Sequence, residues 1–232
     1  MFPGNPILQA CCFLNPCQRY LFALFLGLVS VLAFPTPGKS DDLATRGYEV
    51  IRLLRAGGFN VYFRHAETDW SQADTIQSPG DWHSCNPAAV RQLSDQGRAN
   101  SVLIGQAVRA LGVPVGRILA SPYCRTMETA ELMGLGAVAS SEAIINMRIA
   151  DYFGGRDAVI ATARELLSVA PEPGTNTILV AHGNVARAAT AVYPDEAEGV
   201  MFAPDNEVGF RYVARITPSQ WVQLAAMAGL QL

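Results

Sequence analysis

Val61-Tyr62-Phe63-Arg64-His65-Ala66-Glu67-Thr68 is an apolar run that stops abruptly at an arginine and a histidine, in a chain with only three histidines. A second histidine stands in the same setting, because the apolar run Thr177-Ile178-Leu179-Val180-Ala181 leads directly into His182. Short apolar runs that end in turn residues are typical of buried strands. In open α/β sheets ligands bind beyond the carboxyl ends of such strands. We therefore expect the two imidazoles and Arg64 to share one crevice.

Helical and strand patterns alternate along the rest of the chain. Helical spacing of apolar residues opens at Asp41, follows Leu93 and returns at Arg156 to Ala170, and Thr217-Pro218 is typical of the start of a last helix. Further strands are expected in the following segments: Arg117 to Ala120, weakly Ala143 to Ile149, and Val200 to Phe202 with Val208 to Ile216 as an antiparallel edge. This alternation predicts one α/β domain.

The bulk composition describes a globular protein with a small partner. Of the 232 residues, 50% are hydrophobic and 16% are charged, which is enough apolar material for one core. The net charge of -3 offers no broad basic surface for nucleic acid. We therefore expect a small molecule as the partner and no nucleic acid.

The amino terminus carries an uninterrupted apolar run, Tyr20 to Phe34, which Arg19 precedes and Pro35 ends. The run is shorter than the roughly 20 residues that span a bilayer, and Val31-Leu32-Ala33 offers small residues for a signal peptidase. Residues 1–34 are therefore expected to be a signal peptide or an uncleaved N-terminal membrane anchor, followed by a linker at 35–40 and a single domain at 41–232. Both alternatives predict that the domain is exported, to the periplasm or out of the cell. Only an uncleaved anchor would attach it to a membrane.

The five cysteines divide unevenly between these regions. Three of them lie in the N-terminal segment, and only Cys85 and Cys124 lie in the expected domain. An even pair in an oxidising compartment predicts a disulfide, here one that ties a long loop to the start of a helix. The alternative is a pair of buried free thiols.

A second arginine is expected near the two histidines. Ser121-Pro122 is typical of an N-cap followed by proline at the first helical position, which puts Arg125 in the first turn of a helix, where anions bind. Arginines bind phosphate oxygens bidentately, and a neutral imidazole is a nitrogen nucleophile near pH 7. Arg64, His65, Arg125 and His182 together therefore predict a phosphate pocket in which His65 forms a phosphohistidine.

These residues resemble the histidine phosphatase superfamily, which includes the phosphoglycerate mutases. Arg64-His65-Ala66-Glu67-Thr68 is similar to its Arg-His-Gly motif, Ser121-Pro122-Tyr123-Cys124-Arg125 to its second-arginine motif, and Ala181-His182-Gly183 to its second-histidine motif. Leu93-Ser94-Asp95-Gln96-Gly97 is similar to its characteristic helix entry. The resemblance implies a three-layer sandwich with a mostly parallel central sheet and helices on both faces.

The same resemblance implies a chemistry. His65 would be the nucleophile, and Arg64, Arg125 and His182 would contact the phosphoryl group of a small phosphate ester, without a metal or other cofactor. Many members carry a proton-donating glutamate after the second arginine, but here Ile145 to Asp151 contains none. The candidates for the missing acid are Asp151 and Glu128, with Glu67 as a weaker third.

Four other interpretations remain. Cys85 and Arg91 have the spacing of a cysteine-dependent phosphatase loop, although no strand precedes them and Pro87 interrupts the loop. A metal site could use His65, His83, His182 and a cysteine, although the spacing does not suggest one. The same pocket could serve a phosphate- or phosphosugar-binding module with weak chemistry, or a mutase. Export favours hydrolysis, because a mutase must shield its phosphohistidine from water.

Overall fold

The structure, a computed structural model, describes residues 39–229, with side chains from residue 46 onward. The predicted signal peptide or anchor at 1–34 lies outside the described residues, as does most of the predicted linker. None of the helices between residues 39 and 229 is long and apolar enough to cross a membrane.

The described elements follow the predicted alternation of helices and strands. The α-helices are Lys39–Ala56 (α1), Asp95–Ala110 (α2), Cys124–Met133 (α3), Arg156–Ser168 (α4), Gly183–Thr190 (α5) and Pro218–Met227 (α6). The strands are Asn60–Arg64 (β1), Val115–Ala120 (β2), Val138–Ser140 (β3), Asn176–Ala181 (β4), Gly199–Asp205 (β5) and Gly209–Ile216 (β6). Short 3-10 helices lie at Asp81–His83, Glu142–Ile144 and Met147–Phe153.

One sheet of six strands, in the order β3-β2-β4-β1-β5-β6, forms the middle of the domain. The first four of these strands run parallel to their neighbours, whereas β5 is antiparallel to both β1 and β6. The antiparallel pair predicted for the end of the chain is therefore present. Because β4 lies between β1 and β2, the carboxyl ends of these three strands meet at one edge of the sheet.

Helices cover both faces of this sheet, as a three-layer sandwich requires. Side chains of α1, α2, α3 and α6 pack with one set of strand residues, such as Phe63 and Val180. Side chains of α4 and α5 pack with the alternate set, such as Tyr62 and Leu179. Successive strand residues point to opposite faces, so a sheet buried on both sides reads as a continuous apolar run. The predicted three-layer α/β class is confirmed.

Two local predictions are wrong. Ser121 is not an N-cap, because α3 begins at Cys124 with Tyr123 as its N-cap, and the Ser121 hydroxyl faces His182 instead. Arg125 nevertheless lies in the first turn of α3, as predicted. The segment from Ala143 to Ile149 is not a strand but lies mostly in two 3-10 helices, while the strand here is β3. The adjacent residues Ile144 and Ile145 are both fully buried, which removes the alternation that distinguishes a strand.

The predicted helix entry at Leu93 to Gly97 holds the start of the long loop against the sheet edge. Ser94 caps α2 by accepting a hydrogen bond from the Gly97 amide, and its hydroxyl lies 2.7 Å from Oε1 of Glu67. The Ser94 amide also donates to the Glu67 carbonyl, at 3.0 Å. A Cβ atom at position 97 would lie 2.1 Å from that carbonyl oxygen, so only glycine allows this approach.

Candidate active site

The residues that follow three neighbouring parallel strands lie close together at one edge of the sheet. His65 follows β1, Ser121 follows β2 and His182 follows β4. The His65 amide donates to the carbonyl of Ala181 at 2.8 Å, and the Ser121 amide donates to the carbonyl of Val180 at 2.9 Å. The two imidazole rings are 5.6 Å apart between centroids, in an edge-on arrangement. The two strand-end histidines therefore lie together at one edge of the sheet.

A backbone hydrogen bond determines the tautomer of His65. Its Nδ1 lies 2.9 Å from the carbonyl oxygen of Ala66. A carbonyl oxygen can only accept, so Nδ1 carries the proton and the lone pair of the neutral ring is on Nε2. His65 is 4% exposed. The ring is thus oriented with Nε2 as its nucleophilic atom.

His182 is held by Tyr62 and Ser121. The Tyr62 hydroxyl donates to the His182 carbonyl at 2.8 Å and accepts from the His182 amide at 3.1 Å. The Ser121 hydroxyl and His182 Nε2 share a hydrogen bond of 2.9 Å, whereas the buried Nδ1 has no partner among the described residues. His182 is also the N-cap of α5, so the site lies at the positive end of that helix.

Arg125 is held by a carboxylate from the long loop. Its guanidinium makes a bidentate ion pair with Asp74, at 2.9 Å from NH1 to Oδ1 and 3.1 Å from NH2 to Oδ2. The two side chains are only 1% and 6% exposed. NH1 also donates to the carbonyl of Arg91, and the cation lies 4.5 Å from the centroid of the Tyr123 ring. A carboxylate therefore has the fork geometry on Arg125 that a phosphate would use.

Arg64 has a carboxylate partner as well. Its NH2 donates to Oε1 of Glu196 at 3.1 Å, and its NH1 donates to the carbonyl of Pro194 at 3.3 Å. A Cβ atom at Gly183 would lie 3.2 Å from Cδ of Arg64 and 3.0 Å from the ring of Tyr193. The glycine after the second histidine thus leaves room for the Arg64 side chain.

Both histidines are neutral in this environment. Burial, and then the positive charge of Arg125, holds the pKa of His65 well below its usual value, although the hydrogen bond to Ala66 opposes this. Burial and the charge of Arg125 also hold the pKa of His182 well below its usual value. A neutral imidazole keeps its lone pair, so the low pKa favours His65 as a nucleophile even in mild acid.

Sequence reasoning missed Asp74 and Glu196, and it named Arg91 only in the alternative cysteine-dependent loop. Asp74 and Glu196 pair with the two arginines, and Arg91 lies close enough to lower the pKa of both histidines. The Arg91 guanidinium lies 3.9 Å from the centroid of the Trp70 ring, and its Nε has no partner among the described residues. Neither Asp74 nor Glu196 follows a strand, so no periodicity or motif marks them. The only sequence signal is a charged residue in a segment between elements.

The structure places the two predicted acids outside the histidine pair. Glu128 accepts from Nε of Arg98 at 2.7 Å and lines a cleft of about 1100 Å³. Neither His65 nor His182 lines this cleft. Asp151 is exposed on a 3-10 helix and has no hydrogen bond or ion pair with the site residues described above. The third candidate, Glu67, accepts from the Ser94 hydroxyl.

The predicted disulfide between Cys85 and Cys124 is present and lies beside the site. It joins the long loop to the first residue of α3, across 39 positions of sequence. Cys85 therefore has no thiol in this structure, which counts against the cysteine nucleophile and against Cys85 as a metal ligand. Among the residues whose side chains the structure describes, no group of three or more His, Cys, Asp or Glu side chains could hold a metal ion.

Comparison with solved structures finds several phosphatases of low identity. The protein histidine phosphatase SixA with tungstate is 14% identical, with 69% of this chain and 97% of that chain covered and a TM-score of 0.45. A phosphoserine phosphatase variant from Entamoeba histolytica with phosphoserine is 13% identical, with 70% and 98% covered and a TM-score of 0.48. A mycobacterial glucosyl-3-phosphoglycerate phosphatase is 20% identical, with 68% and 98% covered and a TM-score of 0.48. Likenesses this distant carry no argument about activity.

Comparison with proteins of curated function finds no match. Residues 61–158, however, match the family model of the histidine phosphatase superfamily (branch 1). The matched region contains Arg64, His65 and Arg125, and His182 follows it on the neighbouring strand β4. Residues 61–158 are therefore similar to the histidine phosphatase superfamily, and the residues of the expected site lie at one edge of the sheet.

Proposed function

We propose that this protein is a phosphatase that hydrolyses a small phosphomonoester through a phosphohistidine on His65. The observation that carries the proposal is the state of His65, which is a neutral imidazole with the proton on Nδ1, lying beside Arg64 and Arg125. An imidazole in this state attacks phosphorus through Nε2, and guanidinium groups stabilise the charge on the oxygens of the transferring phosphoryl group.

The reaction has two displacements. Nε2 of His65 forms a bond to phosphorus while the bond from phosphorus to the ester oxygen breaks, and the alcohol leaves with a proton that a carboxylic acid in the site supplies. Water then attacks the phosphohistidine and gives a proton to the carboxylate left by that acid, the bond from nitrogen to phosphorus breaks, and its electron pair returns to Nε2. Nδ1 keeps its proton throughout, because the Ala66 carbonyl stabilises the positive ring that forms. Arg64, Arg125 and His182 hold the phosphoryl oxygens in both steps.

Asp74 limits how a substrate can bind Arg125. Asp74 occupies the two terminal nitrogens NH1 and NH2 and both side chains are almost fully buried, whereas Nε of Arg125 has no partner among the described residues. A phosphate ester therefore binds NH1 and NH2 together only after Asp74 has moved away, and with it the part of the long loop that carries it.

We propose further that the domain is exported. Its support is the apolar run from Tyr20 to Phe34 and the disulfide between Cys85 and Cys124, a bond that persists in oxidising compartments. Cell fractionation of the full chain, with mass spectrometry of the recovered protein, tests this proposal. Recovery of the domain in the cytosolic fraction would contradict export, and the mass distinguishes a cleaved signal from an anchor.

The catalytic proposal is tested by trapping the intermediate. The domain is mixed with p-nitrophenyl phosphate, quenched in base and analysed for acid-labile phosphate on His65 by mass spectrometry. His65→Ala should lose both the adduct and turnover, whereas a Cys85→Ser/Cys124→Ser double variant should keep them in a strong chelator. Phosphate binding without any adduct would indicate a binding module instead. Activity lost in a cysteine variant that circular dichroism shows to be folded, or activity that depends on a metal, would refute the role of His65.

A further inference from the structure

The proposed reaction needs an acid close to the nucleophile. An alkoxide is a poor leaving group, and a positioned acid typically contributes about 10²- to 10⁴-fold to such a step. Glu128 lies in an ion pair with Arg98, Asp151 is exposed on a 3-10 helix, and Glu67 accepts from the Ser94 hydroxyl. A carboxyl that contacts Arg64, next to His65, is better placed for the role than these three.

Glu196 is held beside the nucleophile by the backbone of the two residues that follow it. The amide of Ala197 donates to the His65 carbonyl at 3.1 Å, and the amide of Arg64 donates to the Glu198 carbonyl at 3.3 Å. These bonds tie the segment before β5 to the end of β1. Glu196 therefore stays next to the Arg64-His65 pair although 130 residues of sequence lie between them.

The side chain of Glu196 points into the site. Its Oε1 accepts from NH2 of Arg64 at 3.1 Å and from the Thr68 hydroxyl at 3.4 Å. Neither contact uses Oε2, which has no hydrogen-bond partner among the described residues. Arg64 and Thr68 thus orient the carboxyl and leave one oxygen to carry a proton.

The backbone next to Glu196 is in a costly conformation. Ala197 has a φ of 60°, which places an alanine in the left-handed region. Such a conformation is unfavourable for a residue with a Cβ atom, and it persists where the surrounding structure imposes it. Backbone strain of this kind is concentrated at functional sites, and here it lies beside the carboxyl in question.

We propose that Glu196 is the general acid of the phosphatase reaction proposed above, on which this inference rests. In the first displacement the Glu196 carboxyl gives its proton to the ester oxygen as the bond to phosphorus breaks, and the alcohol leaves neutral. In the second displacement the carboxylate takes a proton from the attacking water, whose oxygen bonds to phosphorus. The products are an alcohol and phosphate, and Glu196 returns to its protonated state.

The environment of Glu196 is consistent with this role. Burial raises the pKa of its carboxyl above the usual value, although the charges of Arg64 and Arg91 and the hydrogen bond from Thr68 oppose the shift and Glu67 adds to it. A bound phosphoryl group brings further negative charge to Arg64, which raises the pKa again. The carboxyl therefore holds a proton at a pH at which an exposed glutamate has lost it.

The test compares leaving groups. The alkoxide of an alkyl phosphate such as glycerol phosphate needs a proton to leave, whereas p-nitrophenolate leaves without one. Glu196→Gln should lower kcat/KM for the alkyl ester by about 10²-fold or more and change kcat/KM for p-nitrophenyl phosphate by less than about five-fold, because kcat/KM reports the steps up to departure of the leaving group and not the later attack of water. Glu196→Asp should recover part of the loss. Glu128→Gln and Asp151→Asn serve as matched controls and should leave both rates nearly unchanged.

The results that would overturn the proposal are distinct. Equal losses for the two substrates would mean that Glu196 only positions Arg64, and an unchanged alkyl rate would exclude it altogether. The rate for the alkyl ester should also fall at high pH in the wild type, where Glu196 loses its proton, and this decrease should be absent in Glu196→Gln. If the variant still shows the decrease at high pH, another residue is the acid. Wild-type protein without any His65-dependent turnover would refute the proposed function itself, and with it the acid.

Discussion

Removal of the Asp74 carboxyl tests how the buried guanidinium of Arg125 is stabilised. Arg125 is 1% exposed and Asp74 is 6% exposed, and two hydrogen bonds of 2.9 and 3.1 Å join them. Asp74→Ala leaves a buried guanidinium without its counter-charge. Breaking a buried pair in this way costs about 3 to 5 kcal/mol in the free energy of unfolding. For a domain of this size, each kcal/mol lowers Tm by roughly 2 to 4 °C.

Inorganic phosphate should reverse most of this loss. It binds Arg125 in the variant without competition from a carboxylate, and a ligand at 100 times its Kd stabilises the folded state by about 2.7 kcal/mol. In the wild type the same phosphate concentration should stabilise less, because phosphate competes with Asp74 for NH1 and NH2 of Arg125. The phosphate-dependent gain in stability therefore distinguishes the two proteins.

The assay is urea denaturation of both proteins, with and without phosphate, at one ionic strength. Glu128→Ala is the matched control, since its pair with Arg98 is 28% and 39% exposed and exposed pairs contribute at most about 1 kcal/mol. A loss below about 1 kcal/mol for Asp74→Ala, or equal stabilisation of both proteins by phosphate, would refute the view that Asp74 occupies the phosphate position on Arg125.

Two further outcomes follow from the same structure. The disulfide closes a loop across a sequence separation of 39 residues. From the entropy lost when such a loop is closed, replacing Cys85 and Cys124 by serine should lower the free energy of unfolding by about 4 kcal/mol. Urea denaturation curves that coincide with those of the wild type would contradict this. The pKa values of His65 and His182 are lowered in the folded state. As pH falls below about 6.5, these two histidines therefore become protonated in the unfolded chain before they do in the folded protein. Stability should then drop by up to about 1.4 kcal/mol per pH unit for each histidine until its folded pKa is reached, and His65→Gln, measured by urea denaturation from pH 7 to 4.5, should remove one of the two contributions.

Much of the fold was predictable because local chemistry marks it. Strands such as β1 and β4 are buried on both faces, so their sequences are continuous apolar runs. His65 and His182 follow directly after these two runs and mark their carboxyl ends. The capping residues Ser94 and Thr217 mark the starts of α2 and α6. The segment around Ile145 was not predictable, since two adjacent buried isoleucines fit neither helical nor strand periodicity.

Residue type and order along the chain determined the class of the domain, the disulfide pair, and the four side chains Arg64, His65, Arg125 and His182 as candidates for one site. Tertiary structure decided which partners surround them. Asp74 and Glu196 reach the two arginines from a loop and from a turn before β5, and Ser121 faces His182 instead of capping a helix. Such contacts depend on which loops fold over the sheet edge, and a buried guanidinium must find a carboxylate wherever the fold offers one. No spacing in the sequence records that choice.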